Sequence, residues 1–171
     1  MIDVVDNFLE FRQYQEIKET VSSGQFPWFW MKNVVPNSGI EETFNSFFIH
    51  SFYQSGSTTS SYMPCLNPLL SKLNILSLIM ARANLYTPTE NLIVHGFHVD
   101  FYDYNEETLS KITTCVYYLD DSDGKTVFED GTEIHSKGNR IALFPANIKH
   151  SSTNCTNTKT RLVINLNYIS K

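Results

Sequence analysis

The closing stretch RLVINLNYI (161–169) constrains the fold more than any other part of the chain. Leu162, Ile164, Leu166 and Tyr168 alternate with Arg161, Val163, Asn165 and Asn167. Successive side chains of an extended strand point to opposite faces, so this strand has one apolar face and one mostly polar face. The apolar face requires a packed layer, which the N-terminal helices can supply. The polar face sits in a chain rich in hydrophobic strands, and predicts a wet cavity.

The segments before it supply the rest of the sheet. Short runs at 80–86, 92–99, 112–119, 126–129, 132–135 and 139–145 read as strands, joined by turns such as DDSDG and SKGN. In the N-terminal half, Ile2–Val5, 26–31 and 44–53 also read as strands. A first helix is expected from a cap at Asp6 or Asn7 to about Ser22, with Phe8, Phe11, Tyr14, Ile17 and Val21 as its apolar stripe. A second is expected from Asn67-Pro68, with Leu69, Leu70, Leu73, Leu76 and Ile79 toward its buried side. The polar run Gln54–Ser61 reads as a surface loop placed to act as a lid. The expected architecture is α+β but mainly β. It is a single domain over 1–171, in which 1–80 support a β-sandwich or barrel formed by 81–171.

Composition narrows the function classes. The formal charge is −5 and the lysines and arginines form no stripe, which argues against a nucleic-acid backbone as main partner. Cys65, Cys115 and Cys155 are widely spaced and odd in number, so no disulfide framework is expected. The start, MIDVVDNFLEF, lacks the basic and long apolar regions of a secretory signal, and no run is long enough to span a membrane. The expected location is a reducing cytoplasm, a host's cytoplasm if the chain is phage-encoded. Neither GxGxxG nor GxxxxGK[ST] occurs, which removes dinucleotide and P-loop readings.

Chemistry concentrates in NLIVHGFHVDFYD (91–103). If this segment is extended, His98 and Asp100 point the same way and can occupy neighbouring positions on one metal ion, whereas His95 points the other way. A lone His-x-Asp arises by chance in about one chain in four of this composition, and a hydrogen-bonded pair on a polar strand face would explain it equally well. Two residues further along the chain raise its significance. His150 comes after the apolar strand IALFP, and Arg161 opens the two-faced strand eleven positions later. Two histidines and a carboxylate with three open positions form the arrangement of non-haem Fe(II) oxygenases. Arg161 adds a planar cation for a carboxylate deeper in the cavity. His50 reads as a core or rim residue and His135 as solvated. Lys159 is an alternative anchor that lies two positions out of register.

In this order and spacing, His98-Val99-Asp100, His150 and Arg161 resemble the Fe(II)/2-oxoglutarate-dependent dioxygenases. TCVYYL (114–119), the G-x-T-V-F of 124–128 and the closing RLVINLNY are similar to segments of the prolyl-hydroxylase branch. The resemblance covers roughly 90–169 and implies a double-stranded β-helix, or jelly roll. It implies that His98, Asp100 and His150 bind Fe(II), and that Arg161 and Tyr118, with Thr126, bind the far carboxylate of 2-oxoglutarate. It also implies that O2 is consumed and succinate and CO2 are released as a substrate C–H is hydroxylated. Asn165 and Asn167 are the candidate substrate or supporting contacts.

Three departures bear on the substrate. Gly124-Lys125 replaces a doubled glycine, the loop after His150 is slightly longer than in the oxygen sensors, and Asn167 stands where those enzymes carry tryptophan. The nucleic-acid dealkylases carry a second arginine at the position of Asn167, which makes nucleobase repair the weakest alternative. A prolyl residue in a peptide or protein is the first expectation, and a free amino acid or other small metabolite the second. A non-catalytic jelly-roll binding module is the rival of another class.

Overall fold

In the computed structural model, which describes residues 1–35 and 46–171, the two-faced closing strand β11 (Arg161–Ser170) lies inside the larger sheet. It pairs antiparallel with β5 (Ile75–Tyr86) on one side and β6 (Thr113–Tyr118) on the other. Outside β6 come β9 (Arg140–Pro145) and then β1 (Asp3–Val5). Outside β5 come β3 (Phe47–Gln54) and β2 (Phe29–Met31), with β4 (Ser57–Thr58) also paired to β3. A smaller antiparallel sheet contains β10 (His150–Ser152), β7 (Lys125–Phe128) and β8 (Glu133–His135), in that order. Isolated bridges Val94–Thr153 and His98–His150 lay the 94–98 segment beside β10.

The central strands β6, β9 and β11 of the larger sheet are buried on both faces, which explains why TCVYYL and RIALF read as nearly continuous apolar runs. One face packs Cys115, Tyr117, Leu119, Ile141, Leu162, Ile164 and Leu166 against Tyr14, Ile17 and Val21 of α1 (Phe11–Ser22) and Leu69 of α2 (Asn67–Lys72). The other face, with Val116, Tyr118, Ala142, Phe144 and Val163, meets Phe128 and Ile134 of the small sheet. Two antiparallel sheets face to face over one core, with helices backing the larger, make a double-stranded β-helix. The supporting helices lie where the apolar face of 161–169 requires them. Tyr117 and Tyr118 point to opposite faces as alternation predicts, but Tyr117 is enclosed under the helices, where its hydroxyl donates to Asn139 Oδ1 at 2.8 Å.

Several expected boundaries move. The first helix starts at Phe11 because Asp6 and Asn7 are engaged elsewhere. Asp6 is held by Arg140 (Nε–Oδ1 2.6 Å) and Lys137 (2.8 Å), and Asn7 takes a left-handed φ of 52°. Phe11, expected in the apolar stripe, is 71% exposed. The second helix stops at Lys72, and Ile75 already begins the strand that pairs with β11. Leu76 is accordingly 67% exposed. Leucines at 69, 70, 73 and 76 fit helical spacing, but a ten-residue β11 needs a partner of similar length, and pairing overrides local periodicity. The 92–99 segment forms only isolated bridges, and Gly96 breaks it with φ 112°. The strand expected over 44–53 starts at Phe47, with residues 44 and 45 outside the described part.

Gln54–Ser61 is a hairpin with its turn at Ser55 (φ 52°) and Gly56 (φ 80°). Thr59 N–H donates to Phe52 O at 2.9 Å, and Thr59–Ser61 line a hollow with Phe29 and His50. None of this segment lines the cavity between the sheets. Among the described residues, no helix is long and apolar enough to cross a membrane. All three cysteines are free thiols.

Candidate metal and co-substrate site

His98 and His150 face each other across the mouth of the cavity. Their backbones exchange both hydrogen bonds, His98 N to His150 O at 2.9 Å and His150 N to His98 O at 3.0 Å. This pairing places the two rings on one side, with centroids 4.8 Å apart. Each Nδ1 lies near the carbonyl two residues earlier, His98 with Gly96 O (3.3 Å) and His150 with Ile148 O (3.2 Å). A proton on each Nδ1 makes those contacts donating hydrogen bonds and leaves each Nε2 with a free lone pair. Both Nε2 atoms stand 3.9 Å from Asp100 Oδ1. The three candidate ligand atoms all lie within 4.8 Å of one another.

Asp100 is oriented from behind. Its Oδ2 accepts from Asn167 Nδ2 at 2.7 Å and from Thr114 Oγ1 at 3.3 Å, so Oδ1 is the oxygen turned toward the histidines. Burial would push this carboxyl up, but His150, the Asn167 hydrogen bond, His98 and Arg82 together hold it below the usual carboxylate range. His98 is pushed down, by burial first and then by His150. An ionised Asp100 beside a neutral His98 suits a divalent cation, whose ligands must be deprotonated. Asn167→Ala removes the stronger of the two bonds that orient Asp100. It should weaken Fe(II) binding about 10-fold or more while leaving the fold's circular dichroism unchanged.

Arg161 lies at the other end of the cavity and is 1% exposed. Its guanidinium sits near the rings of Tyr86 (5.2 Å) and Tyr118 (5.8 Å). Nε donates to Ser136 Oγ at 2.8 Å and Nη1 to Thr153 O at 3.1 Å, but Nη2 is buried without a partner. A buried cation with an unused N–H group is costly unless an anion completes it. Gly124 makes room for this side chain: a Cβ there would collide with Arg161 Cδ and lie 2.5 Å from Asn154 O. The glycine of the G-x-T-V-F segment is therefore required by packing.

Tyr118 and Thr126 come together with Arg161, but in different ways. Thr126 reaches the cavity wall, whereas Tyr118 stands behind it and donates its hydroxyl to Thr126 Oγ1 at 2.8 Å. Burial pushes the Tyr118 hydroxyl up to about 12, so it stays a neutral donor. Asn165 lines the cavity, while Asn167 reaches Asp100. His95 is buried on the opposite side, stacked on Tyr86 at 5.5 Å with Nδ1 3.0 Å from Ser152 O. His50 is a satisfied core residue, with Nδ1 2.7 Å from Pro27 O and Nε2 2.7 Å from Ser60 Oγ. His135 and Lys159 are exposed and outside the cavity.

Sequence reasoning missed Arg82, Asn84, Tyr86, Thr114 and Ser136. A signal existed for the first three. They alternate with small or apolar residues in RANLY, and they pair across the sheet with Asn165, Val163 and Arg161 respectively. The polar face of β11 thus continues onto β5.

The unengaged Nε2 and Oδ1 atoms at one end, and the orphaned Arg161 Nη2 at the other, fit a divalent cation and an anion that reaches inward from it. The fold is a double-stranded β-helix whose cavity holds an open His98/Asp100/His150 cluster and the buried Arg161. Residues 87–169, just under half of the chain, match the family model of the 2OG-Fe(II) oxygenase superfamily.

Solved structures share the fold. A prolyl hydroxylase from Trichoplax adhaerens, in complex with a hypoxia-inducible-factor peptide fragment, is 17% identical with a TM-score of 0.64, covering 99% of this chain and 83% of that one. The viral collagen prolyl hydroxylase of Paramecium bursaria Chlorella virus-1 is 12% identical with a TM-score of 0.61, covering 99% and 96%. The α-ketoglutarate-dependent epimerase SnoN of nogalamycin biosynthesis is 14% identical with a TM-score of 0.66, covering 99% and 76%. No curated protein matches in sequence.

Proposed function

We propose that the chain is an Fe(II)- and 2-oxoglutarate-dependent dioxygenase that hydroxylates a C–H bond, first of all on a prolyl residue of a peptide or protein, with release of succinate and CO2. The observation that carries this reading is the pairing, in one cavity, of an open His98/Asp100/His150 cluster with a buried, incompletely bonded Arg161. His98, Asp100 and His150 would hold the iron. Two neutral imidazoles and one carboxylate leave a bound Fe(II) with about one net positive charge, which favours an anionic chelator. Arg161 would bind the far carboxylate of 2-oxoglutarate, with Thr126 beside it on the wall. Tyr86 and Tyr118 flank the guanidinium and keep water from it, which strengthens its hold on an anion. The bound metal and keto acid supply the oxidising chemistry. The protein orients the groups and excludes water.

The prolyl choice rests on the similarity of TCVYYL and the neighbouring segments to the prolyl-hydroxylase branch. A free amino acid or other small molecule is the second reading, favoured by the polar side chains of Arg82 and Asn165 on the cavity wall. A purely structural jelly roll gives no reason for a buried, unfinished arginine opposite an open metal cluster. Three free thiols and an acidic chain suit a reducing cytoplasm.

The test is succinate formation from 2-oxoglutarate with Fe(II) and O2, screened for stimulation by proline peptides and by free amino acids. Stimulation with a mass gain of one oxygen on a proline peptide is the expected result. Stimulation by free amino acids alone would replace the first reading with the second.

A further inference from the structure

The cavity contains a second arginine that the metal and 2-oxoglutarate do not use. Arg82 on β5 stands directly across from Asn165 on β11, as Tyr86 stands across from Arg161. Four residues of strand separate Arg82 from Tyr86, so the two arginines are about 13 Å apart along the sheet. Asn167, two residues beyond Asn165 on the same face, is bonded to Asp100. By register the Arg82 backbone is therefore at the metal end, and its side chain lines the same cavity beside Phe47, whose ring stacks on Tyr86 at 5.6 Å. Its guanidinium lies 5.9 Å from the Phe47 ring, and its Nε is buried without a hydrogen-bond partner. Asn165 Oδ1 beside it is also buried and unpartnered.

The charge count points the same way. With Fe(II), Asp100 and two arginines the cavity carries about +3, and 2-oxoglutarate brings about −2. About one positive charge remains, located at the metal end where a substrate would approach. Arg82 lines the same cavity as His98 and His150, which places its charge within reach of the metal site.

We infer that Arg82, assisted by Asn165, is the anchor for a carboxylate on the primary substrate, either the α-carboxylate of a free amino acid or the C-terminal carboxylate of a short peptide. This rests on the oxygenase reading and narrows it. The oxidised C–H then lies within a few bonds of a free carboxylate, and an internal residue of a long chain does not satisfy the site. The guanidinium presents two N–H groups to the two oxygens of the carboxylate, and Asn165 would donate from Nδ2 to that carboxylate while its Oδ1 accepts from an N–H of the same substrate.

The experiment uses anaerobic protein loaded with Fe(II) and 2-oxoglutarate, whose metal-to-ligand charge-transfer band shifts when a substrate enters, without turnover. Free amino acids and Gly-Xaa dipeptides are titrated alongside the amides of both sets. At least one acid should shift the band, and its amide should need about 10-fold more ligand or fail. A free amino acid that acts where the dipeptides do not identifies the first source, and the reverse identifies the second. In Arg82→Gln the band itself should persist while the acid-induced shift is lost, and Arg82→Lys should restore part of it. Asn165→Ala, a smaller perturbation, should weaken the same shift without moving the half-saturation for 2-oxoglutarate.

Amides as effective as acids, or no acid that shifts the band, would overturn the inference. So would an Arg82→Gln variant whose main defect is in 2-oxoglutarate binding, because Arg82 would then serve the co-substrate. Absence of the band in wild-type protein is a different failure, that of the oxygenase reading itself.

Discussion

An Asp100→Ala variant should bind Fe(II) at least about 100-fold more weakly than wild type and form no detectable succinate. The surroundings of the carboxylate set the size of the effect. Asp100 Oδ1 is the point 3.9 Å from both imidazole Nε2 atoms, and it carries the only negative charge in that cluster. Without it a divalent ion meets two neutral rings beside a positive Arg82, with Asn167 and Thr114 left donating into a void. The fold should survive, because Asp100 lies on a segment held to β10 by backbone bridges and its loss relieves the burial of a charge. Calorimetric titration with Fe(II) under anaerobic conditions, with thermal melting as the control for folding, separates a lost ligand from an unfolded protein.

The second large effect is expected at Gly124, which is not itself a candidate ligand. A methyl group there meets Arg161 Cδ, and the carbonyl oxygen of Asn154 stands 2.5 Å from the same point. The backbone oxygen cannot swing away as a flexible side-chain tip can, so the arginine or strand β7 must move. Gly124→Ala should therefore raise the half-saturation for 2-oxoglutarate about 10-fold or more and cost about 1–3 kcal/mol of stability. Binding of Fe(II) alone should change little, since the cluster at the far end is untouched. Gly24→Ala is the matched control: a Cβ there meets nothing within 4 Å, and stability should stay within about 0.5 kcal/mol of wild type. Unchanged co-substrate binding in Gly124→Ala would mean that Arg161 is not its anchor.

These two positions also show how much the sequence reveals. The convergence of His98, Asp100, His150 and Arg161 was legible because each side chain leaves a strand, or a bridge to one, and strand alternation determines which way it points. Arg161, Val163 and Asn165 do line the cavity, and Leu162, Ile164 and Leu166 do lie under the helices. What the sequence obscured was set by tertiary pairing. Leu73, Leu76 and Ile79 carry a helical period, yet Ile75–Tyr86 is recruited as the partner of β11. Arg82, Asn84 and Tyr86 lie on the strand already expected over 80–86; its pairing with β11 is what sets them on the face shared with Arg161 and brings a second cation into the cavity.

His98 and Asp100 point together for a different reason from the one alternation supplies. Their segment is broken at Gly96, and the ring of His98 is placed by its backbone pairing with His150. Tyr118 illustrates a limit of another kind. Alternation places it correctly on the inner face, but its hydroxyl bonds Thr126, which stands between it and the cavity. A pattern of faces gives direction but not depth.

The most direct test of a joint iron and keto-acid site is an anaerobic titration of wild-type protein with Fe(II) and 2-oxoglutarate, followed by visible absorption. A metal-to-ligand charge-transfer band should appear, saturate at one Fe(II) and one 2-oxoglutarate per chain, and be absent in His98→Ala and Asp100→Ala. Absence of a band in folded wild-type protein, or a band that survives both substitutions, would contradict the assignment of His98, Asp100 and His150 to the metal.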